Sequence, residues 1–453
     1  MKTSVVVFLS LLGMSAFSFG EEPAVHRPFE PTWESLQHHQ VPEWYRDGKF
    51  GIFVHWGPQA LAGAAGSFDG TQSPWKELAN KFKGEKFDPA HCADLFHKAG
   101  AKYVVQVVEH HDAYALYDSS HTEWSSVKML PKRDFAAELS GAVRKEGLVY
   151  GASSHTEENW WFYSDPPHKL KPITNPGEQP PKEWLDNWYA RLVEIVDKYD
   201  PQIFWFDWSI QQPAYEPYLR KFAAYYYNHA AEKGHGALIN YKYDAFPPGA
   251  GVLDISVNTG GMACDGIRPV AWQFDTWSSN GLWFWRPTMH VRPTAALIQE
   301  MADVVSKNGN YLLNVTPDPD GVITPAQEQM LAGIGQWMTT NGAAIYSTRP
   351  WKTFGEGPTA GLGASFKANV PKTPYTSQDI RFTARDGARY AIVLAWPDDG
   401  RVTIHSITDE PRKVILLGSE KPVNARHEAD GLAVDLSNQT PTTFPFVLEI
   451  EAK

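Results

Sequence analysis

The sequence predicts an α/β fold, a (β/α)8-like barrel followed by a C-terminal β-sandwich, and three observations lead there. Eight short apolar runs of strand character alternate with longer segments of helical period. None of the eight is a clean period-2 alternator, as expected of a parallel sheet covered on its outer face. After residue 351 the helical period is lost. A chain of 453 residues, 43% hydrophobic and 21% charged, has room for one large barrel and a smaller module without disulfide or metal staples.

Taken in order, residues 1–20 read as a signal peptide: Lys2 gives a basic start, 5–12 (VVVFLSLL) an apolar run, and Ala16, Ser18 and Gly20 offer cleavage points before Glu21. The run is too short to span a bilayer, and no other stretch comes near the ~18 apolar residues a span requires. A periplasmic or secreted product without membrane insertion is therefore expected. The barrel is assigned to 21–351. Its strands are expected at 50–56 (FGIFVHW), 103–108 (YVVQVV), 148–154 (LVYGASS), 203–207 (IFWFD), 237–241 (ALINY), 252–257 (VLDISV), 271–274 (AWQF) and 311–315 (YLLNV). Amphipathic stretches at 90–99, 134–146, 182–199, 215–233, 294–307 and 325–341 supply the helices. The second domain, 352–453, reads as strands at 379–382, 390–395, 401–405, 413–417, 432–436 and 446–450, broken by turns such as Asp386-Gly387 and Asp399-Gly400.

Composition narrows the function. A net charge of −11 excludes nucleic acid or an anionic membrane as the main partner, because either needs a basic face. Two cysteines, Cys92 and Cys264, can build neither a disulfide framework nor a four-thiolate zinc site; they either pair or stay buried as thiols. The aromatic load, 18 Trp, 19 Tyr and 23 Phe, suits sugar sites, where ring faces stack on apolar C–H patches.

Barrel chemistry gathers at the C-terminal ends of the strands. There the sequence places His55-Trp56-Gly57, Glu109-His110-His111-Asp112, His155 with Glu157 and Glu158, and Trp205-Phe206-Asp207-Trp208. Asp207, flanked by aromatic rings, needs hydrogen bonds or cations to stay ionised, and so suits a positioned nucleophile. His110 and His111 can face the axis together only if the strand has already ended. Neutral imidazoles hydrogen-bonding to sugar hydroxyls account for the histidines better than a metal does, since no His-Glu-x-x-His helix or facial triad is present. No cofactor is called for. Asp318-Pro319-Asp320-Gly321 reads as a turn rather than a calcium loop.

At these residues the sequence resembles the α-L-fucosidases of glycoside hydrolase family 29. The resemblance is carried by 44–57 (WYRDGKFGIFVHWG), 101–116 (AKYVVQVVEHHDAYAL), 201–207 (PQIFWFD) and much of 304–351. It implies that Asp207 is the nucleophile and that His55, His110, His111 and Trp205 contact the sugar, with Trp75, Trp283 and His155 as further contacts. The partner it implies is an oligosaccharide or polysaccharide. Retaining glycosidases need a second carboxyl about 5–5.5 Å from the first, and Asp265 and Asp254 are the candidates, Asp265 being favoured for its place beyond a Gly-Gly hinge. The activity implied is release of terminal α-L-fucose. An alternative is an exo-α-L-galactosidase acting on an algal-type polysaccharide, motivated by Glu109, which stands where the family commonly has Lys, and by the Gly-rich stretch 259–261. A third is a sugar-binding protein that has lost its acid.

Overall fold

A computed structural model of the chain describes residues 28–65, 73–157, 159–160, 179–256, 266–359 and 374–453. The expected signal peptide lies outside them. Eight parallel strands close a barrel in sequential order: β1 Phe50–Val54, β2 Tyr103–Glu109, β3 Val149–Ser154, β4 Ile203–Phe206, β5 Leu238–Tyr241, β6 Val252–Ser256, β7 Trp272–Trp277 and β8 Gly309–Val315, with β8 pairing back onto β1. Both faces of these strands are buried, so the sequence shows no polar alternation, yet the structure sorts alternate residues to opposite sides. Phe53, Val105, Val107, Ile203, Trp205, Leu238, Val252 and Leu312 fill the interior. Their neighbours Ile52, Val54, Val104, Phe204 and Phe206 join the larger core beneath the helices.

The outer layer consists of α4 Pro89–Lys98, α5 Phe135–Lys145, α6 Lys182–Tyr199, α7 Glu216–Lys233, α8 Thr294–Ser306 and α9 Pro325–Asn341, all within two residues of the expected stretches. Asp88 and Asp134 cap α4 and α5 by accepting backbone N–H bonds from the first turn. Shorter helices precede or interrupt this pattern: α1 Trp33–Leu36, α2 Glu43–Gly48, a 3-10 segment Pro58–Ala65 and α3 Ser73–Lys81. From α2, Tyr45 plugs the barrel floor, its hydroxyl 2.9 Å from Gln273 Oε1. No helix stands between β5 and β6. The 318–321 segment is a turn, with Asp318 Oδ1 accepting from the backbone N–H groups of Asp320 and Val322. Gly321 sits there at φ 97°, where a side chain would strike the Phe87 backbone.

The C-terminal domain is an antiparallel sandwich. β9 Arg349–Glu356, β10 Ile380–Arg385, β11 Ala388–Val393, β13 Lys413–Leu416 and β16 Phe446–Glu451 form one sheet in the order β13-β16-β11-β10-β9, and β12 Arg401–Ile404, β15 Gly431–Asp435 and β14 Asn424–Glu428 form the other. Phe382, Val393 and Leu448 from one sheet pack on Val402, Ile404 and Val434 from the other. The boundary expected at residue 351 falls inside β9, which pairs with β10. β14, NARHE, has no apolar run to mark it as a strand and, among the described residues, pairs with β15 alone. Buried Asp303 of α8 holds the domains together, 2.5 Å from Arg381 and 2.7 Å from Lys307.

Candidate active site

The sorting that fills the barrel also builds its mouth. Phe53 and Trp205 point inward, so two residues on, His55 and Asp207 do too. On β2 the same rule would turn Glu109 inward, but the ladder to β3 shifts register between Val107 and Glu109. Glu109 is instead fully buried against Arg191, and it accepts from Ser154 Oγ (2.8 Å) and the Tyr117 hydroxyl (3.2 Å). The strand ends there, so His110 and His111 both reach the cavity.

The result is a cavity of about 550 Å³ lined by His55, His110, His111, His155, Trp205, Asp207 and Trp283, together with Gln59, Trp208, Lys242, Tyr243, Asp275, Leu282, Phe284 and Arg286. Seven of the expected site residues are thus brought together. Asp254 does not line the cavity. It is completely buried below it, accepting from Trp205 Nε1 (2.9 Å), Lys242 Nζ (2.6 Å) and the Gln273 amide. Asp265, Cys264, residues 259–261 and the Trp75 side chain lie outside the described residues. Cys92 is buried on α4, and burial pushes its thiol up to about 12.

Histidine tautomers follow from their partners. Asn314 gives its Nδ2 to the Trp283 carbonyl (2.9 Å), so the oxygen facing His55 Nδ1 at 2.8 Å must accept, and His55 carries its proton on Nδ1. His155 Nδ1 lies 3.3 Å from Asp207 Oδ2 and donates to it. His110 Nδ1 accepts from Gln59 Nε2 at 2.8 Å. Burial pushes His55 and His110 well below the usual range, and the neighbouring histidines push the same way. Burial lowers His155 as well, although Asp207 opposes it. The wall is therefore neutral imidazole, with Nε2 accepting on His55 and His155 and donating on His110, a set that matches hydroxyl groups. One nitrogen each of His55, His110 and His155 lie within 4.8 Å of one another, compact enough to hold a divalent ion as well.

Against this neutral wall Asp207 is anionic. Burial alone would raise its carboxyl, but the hydrogen bond from His155 and electrostatic attraction, including that of the Lys242 ammonium, hold it below the usual carboxylate range. His111 Nε2 is 3.8 Å from the same oxygen. Opposite stands a buried triad in which Lys242 Nζ lies between Asp254 Oδ1 (2.6 Å) and Asp275 Oδ1 (2.8 Å), with the Trp205 ring 4.8 Å away. Burial, then the Asp254 charge, push Asp275 well above the carboxylate range, so Lys242 and Asp275 present one cation and one neutral acid to the cavity. Sequence reading missed both residues. Each nevertheless stands at or just past the end of an expected strand, at Tyr241-Lys242 and Phe274-Asp275, where the same end-of-strand rule applies.

The α-L-fucosidase family model matches residues 17–343, and the model of the α-L-fucosidase C-terminal domain matches 373–451. The chain is 29% identical to the tissue α-L-fucosidase of Rattus norvegicus, covering 96% of this chain and 94% of that protein. It is 28% identical to the plasma α-L-fucosidase of Homo sapiens, with 92% and 90% covered. Among solved structures, the Thermotoga maritima α-fucosidase in complex with fucose is similar at 27% identity and a TM-score of 0.73, over 93% of this chain and all of that one.

Proposed function

The chain belongs to the α-L-fucosidase family of glycoside hydrolases, and from that premise we propose that it is a retaining exo-glycosidase releasing terminal α-L-fucose from glycans. The signal-peptide pattern adds a periplasmic or secreted setting. One observation carries the reading: Asp207, with His155 Nδ1 at 3.3 Å and His111 Nε2 at 3.8 Å, on the wall of a sugar-sized pocket of imidazole and indole. Asp207 attacks the anomeric carbon while a second carboxyl protonates the departing oxygen; water, deprotonated by that same group, then releases the sugar from the aspartyl ester. Asp265 is the acid in this reading, because Asp254 is sealed beneath Lys242 and Trp205. His55, His110, His111 and Trp205 take the sugar's hydroxyls and its apolar face, with Trp283 a further contact.

The test is Asp207→Asn. It should lower kcat by several orders of magnitude with the fold intact, and azide should rescue Asp207→Ala as a glycosyl azide; near-normal turnover would sink the mechanism. A second reading, release of terminal α-L-galactose, adds one hydroxyl at C6. Glu109 no longer motivates it, being buried on Arg191, but the polar pair Lys242 and Asp275 does, since both can bond to an added hydroxyl. Comparing kcat/KM on aryl α-L-fucoside and aryl α-L-galactoside decides between them.

A further inference from the structure

Among the described residues two cations, Lys242 and Arg286, face the cavity, and one of them is balanced. Lys242 sits on the floor between Asp254, 2.6 Å away, and the protonated Asp275, 2.8 Å away. Arg286 makes no ion pair among the described residues. It donates from one nitrogen to the backbone carbonyls of Gln59 (2.9 Å) and Trp285 (2.7 Å), which fixes the guanidinium and leaves its other edge without a hydrogen bond to the described residues. Only six residues on, Arg292 shows the ordinary alternative, paired with Glu300 at 2.8 Å. Burial pushes the Arg286 guanidinium downward. In a chain of net charge −11, a half-buried arginine on a cavity wall with no acid paired to it among the described residues is conspicuous.

Burial grades the cavity by depth. His55, His155, Trp205, Lys242 and Asp275 are at most 2% exposed and form its floor, whereas Arg286, Trp208 and the 39% exposed Tyr243 stand at the rim. A terminal sugar fills the floor, and the rim meets the sugar to which it is attached. Tyr243 and Trp208 offer that second sugar aromatic faces, Tyr243 in the left-handed backbone region at φ 56°, a conformation that functional rims often keep. The planar fork of Arg286 matches two oxygens of a sulfate or carboxylate.

We propose that Arg286 binds an anionic substituent, a sulfate ester or a carboxylate, on the sugar next to the released one, so that the substrate is an acidic glycan. The proposal rests on the exo-glycosidase reading above. Its test uses three matched α-L-fucosyl disaccharides whose second sugar is neutral, sulfated or a uronic acid. In the wild type, kcat/KM for an anionic member should exceed the neutral one by about tenfold, the worth of a charge-assisted pair, and the ratio should shrink with added salt. Arg286→Gln should bring that ratio to about one and Arg286→Lys should keep part of it; the ratio cancels any general effect of the substitution on the site. Preference for the sulfated member alone or the uronic acid alone identifies the anion. A wild-type ratio of one, or a ratio that Arg286→Gln leaves untouched, overturns the proposal and leaves Arg286 a loop anchor. Calorimetry in an Asp207→Asn background separates the two readings: failure of the wild type to cleave any of the three counts against the glycosidase, and equal affinity of the Asp207→Asn variant for charged and neutral members counts against Arg286.

Discussion

His155 Nδ1 lies 3.3 Å from Asp207 Oδ2, and the two residues come from the ends of neighbouring strands β3 and β4. Because burial holds His155 neutral, the bond is a neutral donor on a carboxylate, and it favours the ionised form throughout the working pH range. His155→Phe keeps the ring that stacks on Trp205 at 4.8 Å and removes the donor. The Asp207 carboxyl should then rise, and the acidic limb of the kcat/KM profile should move to higher pH by about one unit. kcat should fall about 100-fold, the usual cost of losing one donor at a reacting charge. An acidic limb that stays in place would show that His155 does not hold the carboxylate.

Much of this site is legible in the sequence, and the reason is geometric. Phe53 and Trp205 are apolar residues that must face one side of a strand, so His55 and Asp207 inherit their direction. Glu109 was not legible, because a register shift after Val107 reverses it and no residue type there announces a bulge. The triad was not legible either. Lys242, Asp254 and Asp275 lie on or just past β5, β6 and β7, and only closure of the barrel sets Lys242 beside a residue 33 positions away. The four-residue α1 and six-residue α2 are too short to show a helical period.

The Lys242 triad should dominate the response of stability to charge removal. Lys242→Met leaves Asp254 and Asp275, 0% and 2% exposed, as two buried acids without their cation. Breaking such a pair from one side costs about 3–5 kcal/mol. Replacing all three, Lys242→Met with Asp254→Asn and Asp275→Asn, should recover most of that loss, since the uncompensated charge goes as well. Denaturant unfolding at neutral pH checks it, and a triple variant no more stable than the single one would mean that packing, not charge, sets the cost.

Asp112 gives stability a pH dependence of the less common sign. It is 3% exposed, and burial pushes its carboxyl up to about 7. Below the unfolded value of about 4 it is protonated in both states; between there and 7 the folded chain keeps a proton that the unfolded chain has lost. Its contribution is thus fully present in acid and is lost as pH rises to 7. Asp112→Asn, which can still accept from the Tyr114 N–H, should match the wild type near pH 4 and exceed it above pH 7 by up to about 4 kcal/mol. Unfolding free energies of the pair at the two ends of that window measure it, and a difference independent of pH would refute the buried acid.

The general acid is the remaining assignment, and the triad constrains it. Asp275 is a protonated carboxyl on the cavity wall, but burial and the charge of Asp254 hold its proton so firmly that it is a poor donor at neutral pH. Its place on the floor, 2.8 Å from Lys242, also keeps it away from an oxygen that must leave through the rim. Asp254 has no route to the cavity at all, with Lys242 and Trp205 above it. Both should therefore act on the sugar or on the fold, not on the leaving group. Asp265→Asn should depress activity on natural linkages far more than on substrates with activated leaving groups, and should remove the basic limb of the pH profile. Asp275→Asn and Asp254→Asn should reduce both substrate classes by the same factor. If leaving-group sensitivity and loss of the basic limb appear in Asp275→Asn while Asp265→Asn behaves like the wild type, the acid is on β7, and Lys242 becomes the group that resets its proton.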